Sequence, residues 1–238
     1  MVTRSPTGFI APCLPLPSRT VPEGPRWAFE IKHDGYRFIA RRDGYRVRIY
    51  SRNGRDWSDK LPTIIEALFA LPVRSITLDG EGVVCDERGV TDFERLRSAL
   101  SGRGRSRAAF LYAFDLLELD GQDLCPQPWH ERRAALSKLM EKASDGIRLS
   151  EHLDGDGETI FRHACALGAE GIVAKRRDRP YRSGRCADWL KIKNPDAPAA
   201  TRIDSYAVIA LPIRHGAVAG GARYPEIIAE WRLRQVLH

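Results

Sequence analysis

Apolar and polar residues alternate along two short runs near the start of the chain, at residues 37–41 (RFIAR) and 45–51 (YRVRIYS). A period of two predicts β-strands. The pair Asp43-Gly44 lies between the runs, and Asp-Gly between alternating segments is typical of a hairpin turn. Asp43-Gly44 begins the sequence DGYR at residues 43–46. The same four letters occur earlier, at residues 34–37, where they follow Lys32-His33 and a short predicted strand at 27–31. The two copies therefore predict two turns, but only the first follows a lysine.

Further along the chain, the apolar pattern alternates between helical and extended periods. Residues 91–100 begin with Thr91 and carry Glu94 three positions later, which predicts a capping box and a short helix. Further helices are predicted at 62–71, 129–142 and 156–167, and further strands at 75–85, 109–117, 147–150, 171–175 and 189–193. The pattern predicts an α+β fold with mixed, largely antiparallel sheets flanked by helices, covering residues 27–194.

The two ends of the 238-residue chain have a different character. Six of the 15 prolines lie within residues 1–26, which predicts an extended Pro-rich arm rather than a helix. After residue 194 the character of the sequence changes, and residues 195–238 are expected to be a separate C-terminal tail with a strand at 206–213 and a helix at 224–237. No stretch has the length and apolar character of a membrane-spanning helix or a secretory signal.

The charge narrows the class of partner. The formal net charge is +7 and the pI about 9.3, which favours a polyanionic partner such as nucleic acid over a basic surface kept only for solubility. The five cysteines show no CxxC spacing, so we expect neither a disulfide scaffold nor a zinc site. Only seven of the 38 basic residues are Lys. Because Lys, unlike Arg, can lose its proton and act as a nucleophile, each lysine is informative.

Four of the seven lysines fall in strings that also carry acids or aromatic residues. Lys32 lies in the first DGYR turn, where it is either a nucleophile or a solvated lysine. Glu81, in LDGEGVV, is either a metal ligand or an exposed acid at a bulge. Phe114 is either a core residue or a platform for a base. Glu170 and Lys175 bracket a predicted strand, and Lys191 and Lys193 share one face of another, which suits either a phosphate or solvent.

These strings together resemble the nucleotidyltransferase motifs of ATP-dependent DNA ligases, and the bacterial end-joining type most closely. The strings are KHDGYR (32–37), SRNG (51–54), LDGEGVV (78–84), AFDLLELDG (113–121), EGIVAK (170–175) and WLKIK (189–193). The resemblance implies the ATP-grasp-like nucleotidyltransferase fold of DNA ligases. It also implies ATP and Mg²⁺ (or Mn²⁺) as cofactors.

The resemblance assigns a role to each matching residue. Lys32 would attack the α-phosphate of ATP and carry AMP, and Phe114 would stack on adenine. The remaining assignments are Glu30 to the adenine edge, Arg37 and Glu81 to the ribose, Arg52 to the ribose or the nick 5′-phosphate, Glu81 and Glu170 to the metal, and Lys175, Lys191 and Lys193 to the α-phosphate. The implied reaction passes AMP to the 5′-phosphate of nicked DNA for sealing in repair.

The resemblance also implies partners and a location. Nicked or broken double-stranded DNA is the expected substrate, and Ku-like end-joining proteins are candidate partners of a monomer in the bacterial cytoplasm, associated with the nucleoid. Only 45 residues follow Lys193, and they do not resemble the OB-fold domain with which such ligases continue. A catalytically impaired nick-binding remnant therefore stays an alternative to full ligase activity. So does an RNA ligase or capping-type nucleotidyltransferase.

Overall fold

The computed structural model describes residues 8–87, 89–101 and 104–197. The tail elements predicted at 206–213 and 224–237 lie outside this part. The strands are β1 (Cys13–Pro17), β2 (Trp27–Ile31), β3 (Tyr36–Asp43), β4 (Arg46–Ser51), β5 (Ser75–Val83), β6 (Phe110–Leu119), β7 (Gln122–Asp123), β8 (Ile147–Leu149), β9 (His152–Leu153), β10 (Gly171–Arg176) and β11 (Gly184–Lys193). The helices are α1 (Pro62–Ala70), α2 (Phe93–Ser101), α3 (Trp129–Met140) and α4 (Gly157–Ala166), with a 3₁₀ turn at Ser58–Lys60.

The strands form two sheets. Sheet A has the order β1-β11-β10-β2-β9, and sheet B has the order β4-β3-β5-β6-β7, with β8 also paired to β6. All pairs are antiparallel except β1 with β11 and β6 with β8. The predicted α+β class with largely antiparallel sheets is confirmed.

The core lies in three layers that follow from the alternation along the strands. Phe38 on one face of β3 packs with α1 and α3, whereas its neighbour Ile39 packs between the two sheets with Phe114 and Trp189. A third cluster, which includes Phe29, joins sheet A to α4. Both faces of β3 and β6 are therefore buried, and the inner layer places side chains of both sheets against each other. No helix among the described residues is long and apolar enough to cross a membrane.

The two DGYR copies form different turns. The second is the predicted hairpin between β3 and β4, and Gly44 adopts a φ of 56°, which favours glycine. The first carries the chain from β2 in sheet A to β3 in sheet B. Gly35 in this turn lies so close to β5 that a Cβ would be 2.3 Å from the Gly82 carbonyl oxygen. The first turn therefore needs glycine for close approach, and the second needs it for backbone conformation.

Two local features differ from the sequence expectations. The capping box predicted at Thr91 is wrong: Asp92 precedes the helix, and its Oδ1 accepts from the Arg95 N–H at 3.1 Å. The Thr91 hydroxyl instead accepts from the Asp34 N–H at 3.2 Å, so it serves the first DGYR turn. In the Pro-rich arm, Cys13–Pro17 forms β1, an edge strand of sheet A, so the sheet begins before residue 27.

Candidate active site

A cavity of about 620 Å³ lies between the two sheets, next to the turn that joins them. Sheet A contributes β1, β2, β10 and β11 to its walls, and sheet B contributes β3, β5 and β6. All ten residues that the sequence motifs single out line it: Glu30, Lys32, Arg37, Arg52, Glu81, Phe114, Glu170, Lys175, Lys191 and Lys193.

Lys32 lies where β2 ends. Its backbone N–H donates to the Gly171 carbonyl at 2.9 Å, which fixes the turn against β10. Its Nζ donates to Oε2 of Glu170, and both side chains are largely buried. The ammonium group therefore has a carboxylate in direct contact, at the wall of a cavity large enough for a nucleotide.

Glu81 is a further carboxylate that lines the cavity. Glu81 lies on β5, directly opposite Arg37 of β3 on one side and opposite Tyr112 of β6 on the other in the strand register. Burial raises the pKa of Glu81 to about 8, Lys32 and Arg37 oppose the shift, and the nearby Glu170 adds to it. Glu81 and Glu170 are two of the carboxylates that line the cavity, and a divalent cation bound between them would relieve the repulsion between their negative charges.

The fit to Mg²⁺ is partial in its protein ligands. Among the described residues, no group of three or more His, Cys, Asp or Glu side chains is arranged to hold a metal. Mg²⁺ typically binds one or two carboxylates, with phosphate oxygens and water completing its octahedron. Glu81 and Glu170 suit that mode, in which the metal arrives with the nucleotide.

Arg37 is held by Asp79, an acid of the LDGEGVV string to which the sequence assigned no role. Its Nε and Nη2 donate to the two carboxylate oxygens of Asp79 at 2.5 and 2.6 Å. Asp79 is fully buried, and Oδ2 also accepts from the Tyr181 hydroxyl at 2.5 Å. The Arg37 guanidinium lies over the Phe114 ring, 4.5 Å from its centroid.

Glu30 and Lys175 form a buried ion pair. The Lys175 Nζ is 2.8 and 2.9 Å from the two oxygens of Glu30, and the residues are 1% and 3% exposed. Burial lowers the pKa of Lys175 and raises that of Glu30, and the charge of each partner opposes the shift in the other. Nζ also lies 4.3 Å from the Phe114 centroid and 4.1 Å from that of Trp189.

This pairing bears on three predicted roles. Lys175 donates to Glu30 rather than standing free for a phosphate, both Glu30 oxygens accept from Lys175, and Phe114 is already in contact with two cations. The roles of Glu30, Lys175 and Phe114 toward the α-phosphate and adenine stay predictions. What the geometry adds is that the three form one packed unit at the wall of the cavity.

Four further cations line the cavity. Lys191 and Lys193 alternate along β11, pair with Val173 and Gly171 of β10, and both line the cavity, in agreement with their predicted common face. Arg52, after β4, and Arg185, at the start of β11, are exposed and line it as well. Sheet A contributes Lys191, Lys193 and Arg185 to the lining, and the segment after β4 contributes Arg52, so cations from both sheets are available to a polyphosphate.

The comparison with known proteins decides the family. A family model described as the ATP dependent DNA ligase domain matches residues 17–193, most of the chain. The chain belongs to this family. The multifunctional non-homologous end joining protein LigD of Pseudomonas aeruginosa is 41% identical over 186 residues, which are 78% of this chain and 22% of that protein.

Solved structures of ligase domains agree with the family. The ligase domain of Mycobacterium tuberculosis LigD matches with a TM-score of 0.68 and 39% identity, covering 77% of this chain and 60% of that one. A mycobacterial DNA ligase D complexed with ATP and MES matches with a TM-score of 0.67 and 38% identity over the same shares. The expected nucleotidyltransferase fold of DNA ligases is confirmed. The chain spans about a fifth of the curated relative and 60% of the solved ligase domains.

Besides Arg185 and Trp189, three further residues at this ligase-family site were not predicted from the sequence. Asp79 accepts from Arg37 and from the Tyr181 hydroxyl, and the contact between Asp79 and Tyr181 joins positions 102 residues apart. His33 stacks on Tyr112 at 4.1 Å, with Nε2 3.2 Å from the Ser150 Oγ. Burial, followed by the charges of Lys32 and Lys175, lowers the pKa of His33 to about 3, so this ring is neutral beside the lysine. His33 could have been predicted as a site residue from its position next to Lys32. Tyr181 could not, because nothing in its local sequence indicates a contact with Asp79.

Proposed function

We propose that the protein is the adenylation domain of an ATP-dependent DNA ligase of the bacterial end-joining type. Lys32 forms lysyl-AMP, and the AMP then passes to the 5′-phosphate of nicked DNA. The observation that supports this best is the convergence of all ten motif residues on one cavity between the sheets, with Lys32 and Glu170 in contact at its wall.

The first step follows from the residues around Lys32. The Nζ loses a proton to solvent and attacks the α-phosphorus of ATP, and the Glu170 carboxylate in contact orients the amine. The N–P bond forms, the bond from the α-phosphorus to the bridging oxygen breaks, and pyrophosphate leaves. Lys175, Lys191 and Lys193 line the cavity and neutralise the charge on the α-phosphate, while Arg52 serves the ribose or the nick 5′-phosphate.

Glu81 and Glu170 would hold Mg²⁺ (or Mn²⁺), which supplies a Lewis acid that neutralises charge on the phosphoryl oxygens. The net charge of +7 supports DNA as the substrate, because basic proteins bind the phosphate backbone. Ku-like partners, a monomeric state, and action at the nucleoid in the bacterial cytoplasm belong to the same proposal.

The test is the intact mass of the full chain after incubation with ATP and Mg²⁺. We expect an added AMP on the wild type, a loss of adduct of more than about 100-fold on Lys32→Ala, and an unchanged adduct on Lys138→Ala. Lys138 is an exposed lysine on α3. An adduct of wild-type yield on Lys32→Ala would contradict the proposal.

Replacing ATP with GTP, and a DNA nick with an RNA nick, separates the ligase from the two alternatives. A DNA ligase uses ATP and the DNA nick, and a capping-type or RNA-joining enzyme prefers GTP or RNA. A nick-binding remnant shows salt-sensitive DNA binding with no adenylate.

A further inference from the structure

Four groups beside the cavity form a closed ring of hydrogen bonds, and each comes from a different part of the chain. Arg37 on β3 donates to both oxygens of Asp79 on β5. The Tyr181 hydroxyl, from the segment between β10 and β11, donates to Asp79 at 2.5 Å. Cys13 on β1 completes the ring: its N–H donates to the Tyr181 hydroxyl at 2.8 Å, and its carbonyl accepts from Arg37 at 3.1 Å.

The direction of these bonds is fixed by chemistry. A backbone N–H can only donate, so the Tyr181 oxygen accepts from Cys13 and its own proton points to Asp79. Burial raises the pKa of Tyr181 well above its usual range, so the hydroxyl keeps this proton. The hydroxyl therefore has a partner on each side and holds the Asp79 carboxylate in one orientation.

The hydroxyl is not needed to hold the segment that carries it. The Tyr181 N–H donates to the Cys125 carbonyl at 2.8 Å, and the Arg179 and Arg177 carbonyls accept from the N–H groups of Trp129 and His130 at 2.8 and 3.0 Å. The ring of Tyr181 packs edge-on against Trp189. Backbone bonds and ring packing fix the segment, and the hydroxyl serves Asp79 and, through it, Arg37.

Arg37 keeps one nitrogen for a ligand. Its Nε and Nη2 are taken by Asp79 and Cys13, and the described residues supply no hydrogen-bond acceptor for Nη1. Its side chain is 17% exposed and lines the cavity. A guanidinium clamped on one edge presents its other edge in a fixed direction.

We propose that Tyr181 is a positioning residue: its hydroxyl locks Asp79 so that the free Nη1 of Arg37 points at a ribose hydroxyl of ATP. This rests on the proposed function, because it takes ATP as the ligand of the cavity. The residue acts through Asp79 and Arg37 and does not touch the reacting atoms.

Tyr181→Phe removes one oxygen and keeps the ring. Asp79 then loses a donor and Cys13 an acceptor, so the carboxylate and Arg37 are free to reorient. We expect the KM for ATP in self-adenylation to rise about tenfold while the maximal rate changes less than about threefold, since binding rather than phosphoryl transfer is affected.

The decisive readout is discrimination between ATP and its 2′-deoxy and 3′-deoxy analogues. We expect the wild type to prefer ATP over at least one analogue, because Arg37 binds the ribose hydroxyl that this analogue lacks. Tyr181→Phe should lose most of that preference, because a misaligned Arg37 no longer binds the hydroxyl of ATP either. A merely structural defect lowers the use of all three nucleotides alike. In an Arg37→Lys background, Tyr181→Phe should add little further loss, since both changes remove the same interaction.

Tyr50→Phe is the matched control. Tyr50 is a buried tyrosine of the same hydrophobic cluster, and no hydrogen bond of its hydroxyl is recorded among the described residues. It should behave as wild type. If Tyr181→Phe does not fold, Asp79→Asn, which keeps the volume but weakens the clamp, is expected to give the same loss of discrimination.

The outcomes separate this inference from the proposed function. A wild type that forms no adduct with ATP contradicts the function itself. A wild type that forms the adduct, together with folded Tyr181→Phe and Asp79→Asn variants of unchanged KM and analogue preference, overturns the positioning role alone. An equal loss with ATP and both analogues also overturns it.

Discussion

At the scale of single residues, the two glycines of the DGYR copies give a matched pair. Gly44→Ala places a Cβ in open space at a φ of 56°, so we expect a loss of about 1 kcal/mol of stability and normal adenylation. Gly35→Ala puts a Cβ 2.3 Å from the Gly82 carbonyl oxygen and 2.9 Å from Val83. The turn must shift and take Lys32 with it, so we expect adenylation to fall on the order of 100-fold.

Adduct formation and urea unfolding of the two variants check this pair. Because both substitutions are Gly→Ala within the same four letters, the local sequence is controlled. Equal adenylation by the two variants would mean that the close approach of Gly35 to β5 does not hold Lys32 in place.

At the scale of elements, the start of α2 distinguishes the observed cap from the predicted one. Asp92→Ala removes the acceptor of the Arg95 N–H and should cost about 1 kcal/mol in urea unfolding. Glu94→Ala removes only an exposed ion pair with Arg97 and should cost less than about 0.5 kcal/mol. If Glu94 were part of a capping box, Glu94→Ala would instead lower the stability as much as the substitution of the cap residue.

The elements also show what the sequence can predict. Periodicity located the hairpin and helices closely, because each buries one face or stripe. It missed β1, because Pro15 and Pro17 lack the N–H that a central strand needs; an edge strand tolerates them. The ten cavity residues were predicted because they sit in short motifs. Tyr181 was not, because its partner Asp79 is 102 residues away.

At the scale of the whole molecule, Arg132 joins helix α3 to sheet B and to the segment between β10 and β11. Its guanidinium and the Asp115 carboxylate are fully buried, 2.7 and 2.8 Å apart at their two contacts, and Nη1 reaches the Gln127 carbonyl at 2.6 Å. Arg132→Met leaves Asp115 buried without its partner, and we expect a loss of stability on the order of 3–5 kcal/mol in chemical unfolding.

Two further variants interpret this measurement. Asp115→Leu combined with Arg132→Met removes both charges and should be less destabilised than Arg132→Met alone. Lys138→Met, on the exposed side of the same helix, should be nearly neutral. If the double variant is less stable than Arg132→Met alone, the lost hydrogen bonds, and not the unpaired Asp115 charge, determine the loss of stability.

The order of the strands has a consequence for the time at which the site can form. Among the described strands, sheet A pairs β1 and β2, which precede sheet B in the sequence, with strands β9, β10 and β11, which follow it. Lys32 leaves the ribosome 161 residues before Lys193. At a synthesis rate of about 5–20 residues per second, roughly 8–30 s pass between the synthesis of Lys32 and that of the strand β11, which completes the cavity. Until then the cavity lacks the wall that β11 supplies, and a nucleotide has no enclosed site.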